Sequence, residues 1–135
     1  RQLLDGTIDC IATDHAPHAK EEKAQPMTKA PFGIVGSETA FPLLYTHFVK
    51  NGDWSLQQLV DYLTIKPAQI FDLPYGKLKE GSYADLTIIN LDEEREIRGE
   101  DFLSKADNTP FIGYNVYGNP VLTMVEGEVK FKEDK

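Results

Sequence analysis

Near the start of the chain, Thr13-Asp14-His15-Ala16-Pro17-His18 places one carboxylate and two imidazoles within five positions. Side chains of these types bind metal ions and move protons near neutral pH. They follow Ile8-Asp9-Cys10-Ile11-Ala12, a short apolar run that reads as a strand buried on both faces. In parallel α/β barrels the C-terminal ends of strands face the reaction centre, so a carboxylate delivered there can coordinate a metal and exchange a proton with its water. One carboxylate is not a metal site, and even with His15 and His18 the chain offers no complete set; a closed zinc site typically takes four ligands. On the residues alone two readings stand, a capping or hydrogen-bonding feature and a catalytic one. Pro17 disfavours helical backbone at Ala16, which either aims His18 away from a metal toward a substrate or merely ends the strand.

The elements that must position these residues are readable in part. From His15 to Gly36 the sequence loses periodicity and carries three prolines, two glycines and the charged cluster Lys20–Lys23, an irregular connection of the kind that builds sites. Lys20–Lys23 itself reads as a solvated loop, with a lid over the site as the functional alternative. Ser37 can cap a helix whose apolar stripe is Phe41, Leu44, Tyr45 and Phe48 and which ends near Asn51-Gly52. Pro42 requires that this helix start later than Ser37 or kink. Ser55 and Gln58 form a capping box, Trp54 and Leu59 occupy the staple positions, and Leu56, Leu59, Val60 and Leu63 share one face. Pro67 suits the first position of a short helix through Phe71.

After Leu73 the texture changes to strands over Ala84–Asn90, Arg95–Arg98, Val121–Val125 and Glu128–Phe131, with a boundary near Pro74–Gly81. Glu126-Gly127 leaves room for a two-residue hairpin loop, although Glu is not the preferred first residue. Asn108–Gly118 reads as an ordered loop anchored by Phe111, Tyr114 and Tyr117. There is no internal repeat.

Composition removes several classes of function. Of the 135 residues, 41% are hydrophobic, which fits a globular protein rather than a disordered one. Fourteen Lys and Arg against twenty-two Asp and Glu give a net charge of -8, so no basic face for nucleic acid is expected. A single cysteine, Cys10, cannot form an intrachain disulfide, and no stretch has the apolar length of a membrane span or signal peptide, so the cytoplasm is expected. Cys10 itself reads as an inert buried hydrophobe, His47 as a surface or capping residue rather than a ligand, and Asp92, Glu93, Glu94 and Glu96 as a solvated strand end without calcium-loop spacing. Arg1–Gly6 reads as a helix tail closed by glycine, and with Arg rather than Met first the chain is expected to be a fragment.

Asp14-His15-Ala16-Pro17-His18, then Ala30-Pro31-Phe32-Gly33-Ile34 and Gly36-Ser37-Glu38, resemble the C-terminal part of type I dihydroorotases of the amidohydrolase superfamily. Lys66-Pro67-Ala68, Gly76-Lys77-Leu78 and Gly81-Ser82-Tyr83-Ala84-Asp85-Leu86 fit the same pattern, so the resemblance spans nearly the whole chain. The last of these pieces is shared widely in the superfamily; Asp-His-Ala-Pro-His is the discriminating one. The resemblance implies an α/β fold: a C-terminal fragment of a metal-dependent (β/α)8 TIM barrel, residues 1–73, joined to strands of a small β-sandwich domain, residues 74–135.

The resemblance also implies roles. Asp14 would be a ligand of the active-site zinc, of which there would be one or two ions, and the general acid/base. His18 would hold the carboxylate of dihydroorotate or N-carbamoyl-aspartate, and the backbone of Phe32-Gly33 would face the pyrimidine ring. His15 would hydrogen-bond within the loop. The reaction would be the reversible ring closure of carbamoyl-aspartate in pyrimidine synthesis, by a homodimer that sometimes associates with aspartate transcarbamoylase. The family's His-x-His pair, its other histidines and metal-bridging acidic group, and its arginine and asparagine contacts to the substrate are absent from these 135 residues, so the chain alone is expected to be inactive. The alternatives are another cyclic amidohydrolase, a hydantoinase or allantoinase, and a non-catalytic assembly subunit of the same fold.

Overall fold

The computed structural model describes residues 1–133. Helices fill the first part and antiparallel strands the second. A single helical turn, α1 (Lys20–Lys23), interrupts the long connection. Next come α2 (Ala40–Leu44), which runs directly into a π-helical turn over Tyr45–Val49, then α3 (Leu56–Leu63) and α4 (Ile65–Ile70). The strands are β1 (Leu86–Asn90), β2 (Arg95–Glu96), β3 (Asn115–Val116), β4 (Asn119–Val125) and β5 (Glu128–Lys132), with a 3₁₀ turn at Gly99–Asp101.

The capping box at α3 forms as the spacing predicts. Ser55 Oγ accepts from the Gln58 amide at 3.1 Å, and Gln58 Oε1 accepts from the Ser55 amide at 2.8 Å. Trp54 and Leu59 are both buried, as staple residues should be. The Trp54 ring stacks on Phe48 at 4.3 Å and meets Tyr62 edge-on at 5.8 Å, so the aromatic stripe of the preceding helix and the face of α3 share one core. The helix after Ser37 begins at Ala40, which resolves the conflict posed by Pro42: as the third helical residue it falls in the first turn, where the missing donor costs nothing. By the same logic Pro67 is the third residue of α4, not the first, because that helix starts at Ile65.

The expected strand over Ile8–Ala12 does not form. The segment is irregular, with a bend at Ile8, and its backbone bond to the helices runs from the Ile11 amide to the Tyr62 carbonyl at 3.1 Å. A strand exists through its neighbours, and no described strand pairs with this segment; Ile8 is exposed and Cys10 half-buried rather than enclosed. Arg1–Gly6 is a hydrogen-bonded turn closed by Gly6 in the left-handed region, rather than a helix.

In the second part, β4 lies between β1 and β5, all antiparallel, and β2 pairs with β3. Ile88 faces Leu122 while Ile89 faces Pro120, so Val121 is an extra residue in β4; a bulge beside a proline that lacks a ladder donor is the expected accommodation. Glu126 and Gly127 both take positive φ, 51° and 81°, the backbone of a type I′ turn, which joins β4 to β5 as a tight hairpin. Arg95 on β2 is ion-paired to Glu93, at 2.8 Å, and to Glu133.

The two parts are joined through the aromatic helix. The Tyr117 amide donates to Thr46 Oγ1 at 2.8 Å, and Lys50 Nζ lies 3.4 Å above the Tyr117 ring. Buried Gly118 sits where a Cβ would meet the rings of Tyr45 and Phe41 at 3.0 and 3.1 Å, so the aromatic stripe packs directly on backbone. The Asn108–Gly118 loop is ordered, with Phe111 edge-on to Tyr114 at 5.6 Å, and it contains β3, which the sequence reading had not separated from the loop.

Candidate active site

Two segments form the site, His15–His18 and Phe32–Gly36, lying side by side. Ala16 donates its amide to the Ile34 carbonyl at 2.8 Å, and His15 and Ile34 form a parallel bridge. This close approach depends on two glycines. A Cβ at Gly33 would stand 2.3 Å from that of Ala16, and one at Gly36 would stand 3.0 Å from the Thr13 carbonyl.

The sequence-predicted residues are distributed over these segments. His15 Nδ1 accepts from the amides of Gly36 and Ser37 at 3.1 and 3.2 Å. An imidazole nitrogen that accepts from two amides carries no proton, so the neutral ring protonated on Nε2 fits, and the expected loop-bracing role of His15 is seen. His18 Nε2 donates to the Phe32 carbonyl at 2.9 Å, and its Nδ1 faces the Glu22 carboxylate at 3.7 Å. The structure thus brings His18, Phe32 and Gly33 together. Both ring nitrogens of His18 face groups of the chain itself. The Phe32 ring is 90% exposed; the part of Phe32 that joins the site is its backbone.

Asp14 is exposed, with a φ of 47°. Asp72 and Glu126 are the other non-glycine residues at positive φ among those described, and both occupy turns; Asp14 does not. Left-handed backbone outside a turn is strained by of order 1 kcal/mol, and such strain clusters at functional positions. The chemistry of Asp14 fits one oxygen ligand for a zinc ion. Among the described residues no group of three or more His, Cys, Asp and Glu converges to hold a metal.

Asn108 and Lys23, which the sequence reading had not assigned to the site, hold its segments together. Asn108 Oδ1 accepts from the His18 amide at 3.1 Å, its Nδ2 donates to the Gly33 carbonyl at 3.1 Å and the Ala16 carbonyl at 3.4 Å, and its own carbonyl accepts from Val35 at 2.9 Å. Lys23 Nζ donates to the carbonyls of Pro31 and Gly33 at 3.0 and 3.1 Å. Lys20 pairs with Asp107 at 3.1 Å, so the charged cluster is a helical turn with two engaged lysines rather than an open loop. Glu38 accepts from the amides of Leu103 and Ser104 at 2.7 and 3.1 Å. The Asn-Thr-Pro sequence at 108–110 signals a turn; nothing local to it points to partners far upstream. His47 is exposed near the end of its helix, and no described helix is long and apolar enough to cross a membrane.

The sequence model of the Amidohydrolase family matches residues 1–130. A dihydroorotase of Staphylococcus aureus is 85% identical over 133 residues, 98% of this chain, and one of Staphylococcus epidermidis is 82% identical over the same length. The chain spans 31% of the length of each of these relatives. Among solved structures, an L-hydantoinase (dihydropyrimidinase) from Arthrobacter aurescens superposes with a TM-score of 0.88 at 38% identity, covering 99% of this chain and 31% of that one.

Proposed function

We infer from the membership of this chain in the amidohydrolase family that the protein carrying it is a dihydroorotase, a cyclic amide hydrolase that interconverts N-carbamoyl-L-aspartate and dihydroorotate. The observation that carries the reading is Asp14, held in the left-handed region outside any turn, at the head of a loop whose His18 and Phe32-Gly33 backbone are clamped together. The much higher identity to dihydroorotases than to the superposed hydantoinase favours this substrate over a hydantoin. On the same reading residues 1–73 complete a (β/α)8 barrel and 74–135 belong to a small β-sandwich. A cytoplasmic location, a homodimeric state, a place in pyrimidine synthesis and contact with aspartate transcarbamoylase belong to it too, and rest on the family resemblance.

The roles follow from the chemistry of each group. Zinc, when bound, supplies a hydroxide nucleophile at neutral pH, with Asp14 as one ligand and the remainder contributed by other parts of the protein. The Asp14 carboxylate takes up the proton released as the ring amide carbon is attacked and returns it to the departing ring nitrogen. Ring closure runs the same transfers backward. His18 receives the substrate carboxylate in place of its present neighbours, and the Phe32-Gly33 backbone lies along the ring.

The test uses the intact zinc-loaded protein. It is expected to interconvert dihydroorotate and carbamoyl-aspartate, and Asp14→Asn, which keeps the size but removes the proton acceptor, is expected to lower kcat by at least about a hundredfold. Turnover of hydantoin or allantoin in place of dihydroorotate, or near wild-type activity in Asp14→Asn, overturns the reading.

A further inference from the structure

Among the described residues, every hydrogen bond that Asn108 makes goes to the two segments of the candidate site: to the His18 amide, the Ala16 and Gly33 carbonyls, and the Val35 amide. A primary amide suits this position because it presents an acceptor and two donors on one rigid plane. Aspartate could keep the bond from His18 but would turn a carboxylate oxygen toward two carbonyls. Serine could bridge at most part of the set. Lys23 reaches Pro31 and Gly33 but neither Ala16 nor His18. The Asn108 side chain therefore spans both segments from outside and grips them at His18 and Gly33, where the proposed contacts to substrate lie.

We propose that Asn108 is a positioning residue for substrate binding: its amide sets the spacing between the His18 imidazole and the Phe32-Gly33 backbone, and so the distance between the pocket for the substrate carboxylate and the surface that receives the ring. The proposal rests on the dihydroorotase reading. It follows from the general sensitivity of bound-state geometry to small displacements and from where the four bonds fall. Asn108 touches neither the substrate nor the proton in transit.

The experiment compares the intact wild-type protein with Asn108→Asp. The expected result is a KM for dihydroorotate raised about tenfold or more, with kcat changed less than about threefold and zinc content close to wild type. An active wild type whose Asn108→Asp form keeps its KM, whatever happens to its thermal midpoint, overturns the positioning role while leaving the functional reading intact. A wild type that turns over no dihydroorotate defeats the functional reading and this proposal with it. Should Asn108→Asp fail to fold, Asn108→Ser, too small to crowd the two carbonyls, is measured in the same way; failure of both to fold assigns Asn108 to stability and overturns the proposal.

Discussion

Gly33 and Ala16 approach so closely that a methyl group on the first would lie 2.3 Å from the methyl of the second. Gly33 also adopts a φ of 114°, a region that side chains rarely enter. Gly33→Ala therefore has to push the two site segments apart. The expected outcome is a loss of stability of about 1–3 kcal/mol together with a raised KM for dihydroorotate, measured by denaturant unfolding and steady-state kinetics. Wild-type values of both would show that the close approach is dispensable.

On the proposed reading His18 has two separable duties, one to the Phe32 carbonyl, which is seen, and one to the substrate. His18→Ala is expected to weaken binding of dihydroorotate by about tenfold to a hundredfold, the range for losing a hydrogen bond to a charged group. Binding of dihydrouracil, the same ring without the carboxylate, should change much less. Calorimetric titration of both ligands decides it, and an equal loss for the two would remove the carboxylate from the partners of His18.

Away from the site, the hydrogen bond from Arg95 holds the Glu93 carboxyl below its ordinary value of 4.5. Hydrogen bonds to Glu133 and then to Glu93 in turn hold the Arg95 guanidinium more firmly protonated. The sign is that of a carboxylate whose folded-state pKa is depressed: its contribution to stability is present above about 4.5 and is lost as the pH falls through the lower folded value. Arg95→Met is expected to return the Glu93 titration to near 4.5 and to flatten the acid limb of the stability profile. Carboxyl-carbon NMR of glutamate-labelled protein provides the check; an unmoved Glu93 titration in the variant would exclude Arg95 as the cause.

What could be read in the sequence was local. The Ser55–Gln58 box, the Trp54–Leu59 staple and the Glu126-Gly127 hairpin each close within a few residues, so residue type and spacing specify them fully. The Asp14–His18 run was conspicuous for the same reason, being contiguous, and the bracing of His15 against the loop was anticipated. Ile8–Ala12 failed as a strand because strand formation depends on neighbours, and apolar content says nothing about whether a neighbour lies alongside. The start of α4 was misplaced by two residues, since a proline is tolerated anywhere in a first turn.

Asn108 and Glu38 stayed hidden for a different reason. Asn108 lies 90 residues from His18, and Glu38 lies 65 residues from Leu103. An amide or carboxylate in a polar stretch is unremarkable by composition. Its role exists only once folding has brought a distant backbone within reach.

The Glu38 carboxylate grips the main-chain amides of Leu103 and Ser104, groups that every residue but proline supplies. A chimera that joins the first seventy residues of one relative to the remainder of another therefore keeps this clasp wherever the first parent brings the glutamate and the second has no proline at either position.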